Sequence, residues 1–187
     1  MIVVGITGTL GAGKGTIVDY LIENKQFLHF SVRDFLITEI KKRKLEINRD
    51  SMTSVANELR AQRGPDYIIK RLYRKAKAKG TNCVIESIRN LSEIAALRKK
   101  GDFLLLAVDA AAEIRYARIQ QRKSETDNIS YETFLANEAR EMHTNDPNHQ
   151  NLAACIREAD FKLSNDGSIE DLHHQIEHII SQILTTS

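Results

Sequence analysis

The residues best suited to chemistry lie in one glycine-rich stretch near the start of the chain, from Gly8 to Thr16. Gly8 is followed after four residues by Gly13 and Lys14, the spacing of a loop that turns its backbone N–H groups onto phosphate. Glycine permits the backbone conformations that such a loop needs, and the positive end of a following helix attracts an anion. An ordinary glycine-rich turn does not explain a lysine at that position. The stretch therefore predicts a phosphate-binding loop whose lysine reaches the outer phosphates of a nucleotide.

The residue after Lys14 departs from the common pattern, in which Ser or Thr follows the lysine and its hydroxyl meets Mg²⁺. Gly15 stands at that position, and the hydroxyl comes one residue later, on Thr16. Thr16 is therefore a candidate metal ligand, and the shift leaves its metal contact open. The loop residues expected to contact the nucleotide are Gly8, Gly11, Ala12, Gly13, Lys14, Gly15 and Thr16.

Three further candidates follow apolar runs that are typical of strands. Asp34 comes shortly after Phe27–Phe30, Glu86 ends Cys83–Glu86, and Arg89 lies just beyond. Ligands of parallel α/β sheets bind at the carboxyl ends of the strands, so we expect these residues near the loop. Glu86 is predicted to hold Mg²⁺ or its water shell, with pairing to a helix arginine as the alternative. Asp34 fits a metal or substrate contact and a simple helix cap equally well.

Arginines supply the positive charge that phosphoryl transfer requires around the transferring group. Their planar fork binds phosphate oxygens in pairs. Arg115 begins a helix face with spacings of three and four, which a solvated surface would explain equally well. The arginines considered as phosphate ligands are Arg60, Arg63, Arg89, Arg118 and Arg122.

The elements that must position these residues alternate along the chain between apolar runs and helical patterns. Short apolar runs followed by helices predict an α/β fold of three α/β/α layers around a five-stranded parallel sheet. The predicted strands are Ile2–Ile6, Phe27–Phe30, Cys83–Glu86, Phe103–Val108 and Phe161–Ser164.

Residues 1–187 are predicted to form a single domain. The helices between the second and third strands exceed a simple crossover, so about residues 31–80 are predicted to be an inserted helical region that binds the acceptor. A polar, turn-rich segment follows the arginine face, and about residues 115–145 are predicted to include a lid.

Composition excludes several classes of protein. Hydrophobic residues make up 42% and charged residues 28%, which is typical of a globular chain. The net charge of +2 gives no support to a nucleic-acid or membrane partner, and no apolar run reaches the roughly 18 residues of a membrane span. Cys83 and Cys155 are isolated, and the start of the chain lacks the pattern of a signal peptide. We expect a cytoplasmic protein whose partner is a small-molecule phosphate acceptor.

The ordered motifs resemble the adenylate-kinase-related and dephospho-CoA-kinase-like branch of the P-loop kinases, across nearly the full chain. They are Gly11-x-Gly13-Lys14-Gly15-Thr16, Glu58-Leu59-Arg60 with Gly64-Pro65-Asp66, Val84 to Arg89, Arg115-Tyr116-x-Arg118 with Arg122, and Asn165-Asp166-Gly167-Ser168. The resemblance implies a P-loop kinase fold with ATP and Mg²⁺ as cofactors. It also implies that Arg89 binds the phosphate of the acceptor, that Arg118 and Arg122 clamp the donor phosphates, and that Asn165 and Gly167 lie near the adenine.

Departures from the resemblance leave the acceptor open. Adenylate kinases carry Thr and Arg in the stretch where this chain has Val32 and Ile37, and their third-strand acid is Asp rather than Glu86. The leading prediction is an ATP- and Mg²⁺-dependent phosphotransferase acting on a nucleotide-like small molecule, a (deoxy)nucleoside monophosphate. Dephospho-CoA is the alternative acceptor. A regulatory module that binds ATP without useful turnover is the alternative from another class.

Overall fold

The sheet at the centre of the protein has five parallel strands in the order β2-β3-β1-β4-β5, numbered along the chain. The computed structural model describes residues 1–122 and 128–185. The strands are β1 (Val3–Gly8), β2 (Leu28–Ser31), β3 (Cys83–Glu86), β4 (Phe103–Asp109) and β5 (Phe161–Ser164). The predicted parallel sheet of five strands is confirmed.

Helices cover both faces of the sheet. Within the described residues they are α1 (Lys14–Lys25), α2 (Val32–Lys42), α3 (Arg49–Arg63), α4 (Tyr67–Lys79), α5 (Leu91–Arg98), α6 (Ala112–Arg122), α7 (Tyr131–Met142), α8 (Leu152–Arg157) and α9 (Ile169–Thr185). In residues 1–122 and 128–185, no helix combines the length and the apolar character that crossing a membrane would require.

Alternation of side chains along β1 divides the core into two layers. Val4 and Ile6 point into one cluster, which packs against α1 and α9, whereas Val3 points into the other, formed with α2, α3, α4, α5 and α8. All six residues of β1 are buried because parallel sheets are covered on both faces. The predicted three-layer α/β/α architecture is confirmed.

The carboxyl ends of the strands meet along one edge of the sheet. Ser31 at the end of β2 is in register with Glu86 at the end of β3, and Ile6 of β1 is the other neighbour of Glu86. On the far side, Asp109 ends β4 in register with Ser164 of β5. The phosphate-loop stretch therefore emerges next to Glu86, as the strand pattern predicts.

Three helices, α2, α3 and α4, fill the chain between β2 and β3. Ser31 caps α2 by accepting a hydrogen bond from the backbone N–H of Asp34, 3.1 Å away. Asn48 and Ser51 form a reciprocal capping box at the start of α3. Pro65 lies in the turn that connects α3 to α4, and α4 begins at Tyr67.

The segment from α6 to α7 contains the predicted lid, of which residues 123–127 lie outside the described residues. The described parts pack through aromatic rings. The ring of Tyr116 on α6 lies 5.0 Å from that of Tyr131 and 5.6 Å from that of Phe134, both on α7. These contacts hold α6 and α7 side by side next to the phosphate loop.

Candidate active site

The loop between β1 and α1 has the tight backbone that phosphate binding requires. Gly11 has a φ of +79°, and a Cβ built there would lie 2.4 Å from the carbonyl oxygen of Arg115. Gly13 has a φ of +104°, and its Cβ would meet the side-chain nitrogen of Asn165 at 2.2 Å. Both positions therefore need glycine. Gly8 ends β1, and Ala12 is fully buried beneath the loop.

Lys14 is the first residue of α1, and its side chain folds back over the loop. Its Nζ donates hydrogen bonds to the carbonyl oxygens of Gly8, at 2.9 Å, and Thr9, at 2.6 Å. Burial, helped by the nearby charge of Arg89, lowers the pKa of Lys14 from 10.5 to about 7. A phosphate anion beside this ammonium group would restore its charge.

The first turn of α1 turns its N–H groups toward the same place. The first N–H groups of a helix lack partners within the helix, so the start of α1 favours an anion. A Cβ added at Gly15 would meet no heavy atom within 4 Å, and the neighbouring Thr16 is partly exposed. Both residues line the cleft that opens in front of the loop.

Asn165 ties the end of β5 to the loop. Its side-chain nitrogen donates a hydrogen bond to the carbonyl oxygen of Ala12, at 2.9 Å, and the residue is buried. Asn165 therefore supports the loop backbone as well as lining the cleft. Gly167 is exposed and does not line the cleft, and its contact with a nucleotide stays a prediction.

The end of β3 brings Glu86 to the floor of the cleft. Its Oε2 lies 3.2 Å from Nε2 of His29 on β2. Burial alone would raise the pKa of the Glu86 carboxyl, but the hydrogen bond to His29 and the charges of Lys14 and Arg89 hold the pKa below its ordinary value. Glu86 is therefore ionised at neutral pH. Its partner is this histidine rather than the helix arginine considered from the sequence.

Ser87, directly after Glu86, has a φ of +71°, which is unfavourable for a residue with a Cβ. Such backbone strain concentrates at sites where geometry matters more than stability. The turn sends the chain toward Arg89, and both residues line the cleft. The backbone N–H of Arg89 is fixed by Oε2 of Glu93, 3.1 Å away.

The side chain of Arg89 is held by residues from a distant part of the chain. Its Nη1 donates to the carboxylate of Glu141 on α7, and to Oε1 of Gln150 at 3.0 Å. The second oxygen of Glu141 lies 2.8 Å from Nη2 of Arg49, at the start of α3. Sequence reasoning missed Arg49, Glu141 and Gln150, because none belongs to a local motif.

Arg60 lies in the same wall, in a buried ion pair. Its Nη2 lies 3.0 Å from Oε1 of Glu93, and the exposed fractions of the two side chains are 2% and 0%. The Nη1 atom of Arg60 is buried without an acceptor among the described residues. Glu93 thus links two predicted phosphate ligands, since its other oxygen fixes the backbone of Arg89.

Other predicted ligands are not brought to the cleft. Asp34 is exposed on the first turn of α2 and does not line the cleft, so the capping alternative describes its position. Arg63 is the last residue of α3, where it is exposed and does not line the cleft. A substrate contact of either residue stays a prediction.

The arginine face of α6 divides into different environments. Arg118 lines the cleft, and its Nη1 is buried without an acceptor among the described residues. Arg122 is exposed and also lines the cleft. Arg115 instead points into the protein, where Glu138 and the carbonyl oxygens of Ala110 and Leu10 bind it. The expectation of one common face toward a ligand is wrong for Arg115.

The cleft has a volume of about 710 Å³, and its lining residues come from two groups of elements, which we call its walls. The first wall is the loop and α6 side, formed by Gly11, Gly13, Lys14, Gly15, Thr16, Arg118, Arg122 and Asn165. The second wall combines apolar side chains with arginines, namely Val32, Leu36, Met52, Ala56, Arg33, Arg49, Arg60 and Arg89. Glu86 lies between the two walls. Two anions, one bound at each wall, would therefore approach each other near this carboxylate.

The cleft offers many hydrogen-bond donors for the phosphates of a nucleotide but few oxygen ligands for a metal ion. Orphaned guanidinium nitrogens on Arg49, Arg60 and Arg118 are suited to phosphate oxygens. For Mg²⁺, the described residues contain no cluster of three or more His, Cys, Asp or Glu side chains. Thr16 and Glu86 line the cleft as oxygen donors, and Mg²⁺ in such sites takes further ligands from phosphates and water.

Comparison with known proteins supports the same fold and loop. A family described as an AAA domain matches residues 4–146. A UPF0200 protein of Methanocaldococcus jannaschii is 31% identical, over 98% of this chain and 91% of that protein. A UPF0200 protein of Pyrobaculum aerophilum is 29% identical, over 97% and 98% respectively.

Solved structures with the same architecture include kinases. The structure of TT1252 from Thermus thermophilus has a TM-score of 0.65 at 20% identity and covers 97% of both chains. Shikimate kinase from Aquifex aeolicus has a TM-score of 0.53 at 15% identity and covers 100% of both chains. At these identities the likeness shows the fold alone, and that fold is of the P-loop kinase type.

Proposed function

This chain belongs to the AAA domain family and to the UPF0200 family, and we propose that it is an ATP- and Mg²⁺-dependent phosphotransferase for a nucleotide-like small molecule. The single observation that carries this proposal is the cleft with two cationic walls. Lys14 and the phosphate loop belong to the first of these walls, and Arg89 belongs to the second. A cleft of this kind can hold a phosphate donor and an anionic acceptor with their phosphates facing each other.

On the donor wall, ATP supplies the phosphoryl group and Mg²⁺ neutralises charge on its phosphates. The N–H groups of the loop and of the first turn of α1 hold the phosphates, and Lys14 carries a positive charge beside them. Arg118 also lines this space, and its Nη1 is buried without an acceptor among the described residues. Glu86, ionised at the end of β3, holds the metal through one oxygen or through its water shell.

The acceptor wall favours a molecule with an anionic group and an apolar ring. Val32, Leu36, Met52 and Ala56 supply an apolar surface beside the arginines. A (deoxy)nucleoside monophosphate combines both features, so we propose this class of acceptor within the adenylate-kinase-related branch. Dephospho-CoA, which carries an adenine and phosphates of its own, is the alternative.

Catalysis in this arrangement is positioning and electrostatic stabilisation rather than covalent chemistry. Arg89 and Arg118 approach the cleft from opposite walls, so together they surround the place where charge builds up during transfer. Glu93 holds the guanidinium group of Arg60 and the backbone of Arg89 in fixed positions on the acceptor wall. Preorganised charges of this kind need no rearrangement at the moment of reaction.

ATP consumption tests the proposal. The full chain is assayed with Mg²⁺ and a panel of ribo- and deoxynucleoside monophosphates and dephospho-CoA. We expect at least one acceptor to raise the rate about tenfold or more, and Lys14→Ala to remove that stimulation. Lys25→Ala is the matched control, since Lys25 lies at the other end of α1 and pairs with Glu177.

If the chain binds ATP tightly through Lys14 but no acceptor raises its rate of ATP consumption, the proposal that it is an enzyme is overturned. The regulatory module, which binds ATP without useful turnover, would then take its place. If only dephospho-CoA raises the rate of ATP consumption, the proposed phosphotransferase activity stands and the acceptor is dephospho-CoA.

A further inference from the structure

Glu141 is a buried carboxylate in the acceptor wall of the cleft. It lies in the last turn of α7, and only 4% of the residue is exposed. One of its oxygens is 2.8 Å from Nη2 of Arg49, and the other accepts from Nη1 of Arg89. Glu141 therefore bridges two guanidinium groups from separate parts of the chain, in the way that a bound anion would.

The position of Glu141 is unfavourable for the helix that carries it. The carbonyl groups of a last helical turn form the negative end of the helix dipole, where cations are preferred to carboxylates. Arg140, the neighbouring residue, satisfies that preference, and Glu141 does not. The contacts with Arg49 and Arg89 account for its place in the structure, since the helix itself gains nothing from it.

The arginines of this wall offer more hydrogen-bond donors than Glu141 accepts. Nε of Arg49 and Nη1 of Arg60 are both buried without an acceptor among the described residues. Arg89 uses Nη1 for both Glu141 and Gln150. A carboxylate has two oxygens, whereas a phosphate monoester presents three terminal oxygens and a second negative charge, and so matches this set of donors better.

We infer that Arg49 joins Arg89 in the anion subsite of the acceptor, and that Glu141 is a resident carboxylate there which the acceptor's phosphate monoester replaces. This inference rests on the proposed function, because it describes the acceptor site of that reaction. Of the two guanidinium charges of Arg49 and Arg89, the single charge of Glu141 balances one, whereas a dianion in its place would balance both. The exchange therefore favours a dianion over a neutral hydroxyl or a monoanion.

The inference narrows the class of acceptor. A nucleoside monophosphate ends in a phosphate monoester, which is a dianion near neutral pH. The phosphates of dephospho-CoA form a diphosphate bridge, in which each phosphorus carries a single charge. The subsite thus prefers monophosphates, and Glu141 keeps the arginines paired until such an acceptor arrives.

Inorganic phosphate is the probe that tests the exchange. The full chain is saturated with a non-hydrolysable ATP analogue and Mg²⁺, and phosphate binding is then measured by calorimetry. Glu141→Gln keeps the size of the side chain and removes the competing charge, so we expect phosphate to bind about fivefold or more tightly. If Glu141 only clamps the arginines in place, the variant binds phosphate equally or more weakly, and the inference is overturned.

Glu138→Gln is the matched control, because it removes a carboxylate three residues earlier on α7 that pairs with Arg115 instead. Its phosphate affinity should equal that of the native chain. Arg49→Gln should weaken phosphate binding about fivefold or more, since it removes one side of the subsite. An unchanged affinity in Arg49→Gln contradicts the inference.

Glu141→Asp covers the case in which Glu141→Gln does not fold. The shorter carboxylate keeps its charge but cannot reach both arginines at once, so phosphate should again bind more tightly, by about twofold. Equal or weaker binding overturns the inference. These measurements do not depend on turnover: tighter phosphate binding in a chain that consumes no ATP with any acceptor would refute the proposed function and leave the subsite in place.

Discussion

Arg115 and Arg118 lie one helical turn apart on α6, yet their guanidinium groups have opposite environments. Arg115 is 5% exposed and is held by Glu138 and by the carbonyl oxygens of Ala110 and Leu10. Arg118 lines the cleft with a buried Nη1 that has no acceptor among the described residues. The first arginine supports the phosphate loop, and the second is available to a ligand.

The two alanine variants at these positions should therefore separate stability from activity. Arg115→Ala leaves Glu138 unpaired and the carbonyl of Leu10 without its donor, so we expect a loss of about 2–4 kcal/mol in the free energy of unfolding. Arg118→Ala should cost less than about 1 kcal/mol and lower the rate of phosphoryl transfer about 10²-fold or more. Urea unfolding and ATP consumption measure the two effects. A large stability loss in Arg118→Ala would contradict this division.

Two glycines of the phosphate loop give a second matched pair. A Cβ at Gly11 would lie 2.4 Å from a backbone oxygen and force a φ of +79° on alanine, whereas a Cβ at Gly15 meets nothing within 4 Å. Gly11→Ala should thus destabilise the fold by about 1–3 kcal/mol. Gly15→Ala should be neutral or stabilising by up to about 1 kcal/mol, because alanine favours the helix.

Gly15→Ala should also change the affinity for ATP, because Gly15 lines the cleft. The methyl group of Gly15→Ala would enter the space in front of the first turn of α1, so ATP should bind about tenfold more weakly without loss of stability. Thermal unfolding and calorimetric titration with ATP make the comparison. Unchanged ATP affinity in Gly15→Ala would show that phosphate does not approach this turn.

The parts of the structure that could be predicted from sequence are those whose pattern lies within a few neighbouring residues. The bounds of β3 and β5 match the predicted Cys83–Glu86 and Phe161–Ser164, because short apolar runs there meet turn residues abruptly. The loop from Gly8 to Thr16 carries its whole pattern within nine residues. The cap at Ser31 is predictable for the same reason, since its partner is three residues away.

The acceptor wall could not be predicted, because its contacts join distant parts of the chain. Arg89 meets Glu141 and Gln150 at sequence separations of 52 and 61 residues. An arginine or glutamate on an amphipathic helix has the same local pattern whether it faces solvent or a buried partner. This ambiguity explains why the sequence does not reveal Arg49 and why it groups Arg115 with the ligand-facing arginines.

The pKa of Lys14 gives a third prediction, on proton uptake. In the free protein burial lowers this pKa to about 7, and phosphate beside the ammonium group raises it again. At pH 8.5, binding of a non-hydrolysable ATP analogue should therefore take up close to one proton. Calorimetry in two buffers with different ionisation enthalpies measures the uptake, and Lys14→Met should abolish it. No uptake by the native chain would mean that Lys14 is already charged before nucleotide binds.

The same residue makes stability depend on pH. The unfolded chain keeps the ordinary lysine pKa of 10.5, so between pH 7 and 10 the unfolded state binds a proton that the folded state has released. Relative to Lys14→Met, the free energy of unfolding should rise with pH in this window, by up to about 1.4 kcal/mol per pH unit. Urea titrations at pH 7, 8 and 9 test the slope, and a slope of opposite sign would contradict it.

The buried pair of Arg60 and Glu93 gives the last prediction, on stability. Arg60→Met leaves Glu93 as an unpaired charge in a fully buried position, so we expect a loss of about 3–5 kcal/mol in the free energy of unfolding. Adding Glu93→Gln removes that charge and keeps an oxygen for the N–H of Arg89, which Glu93 accepts at 3.1 Å. The double variant should thus recover most of the loss, to within about 2 kcal/mol of the native chain. Urea unfolding of both single variants and the double variant closes the cycle, and simple additivity of the single effects would show that the two charges do not depend on each other.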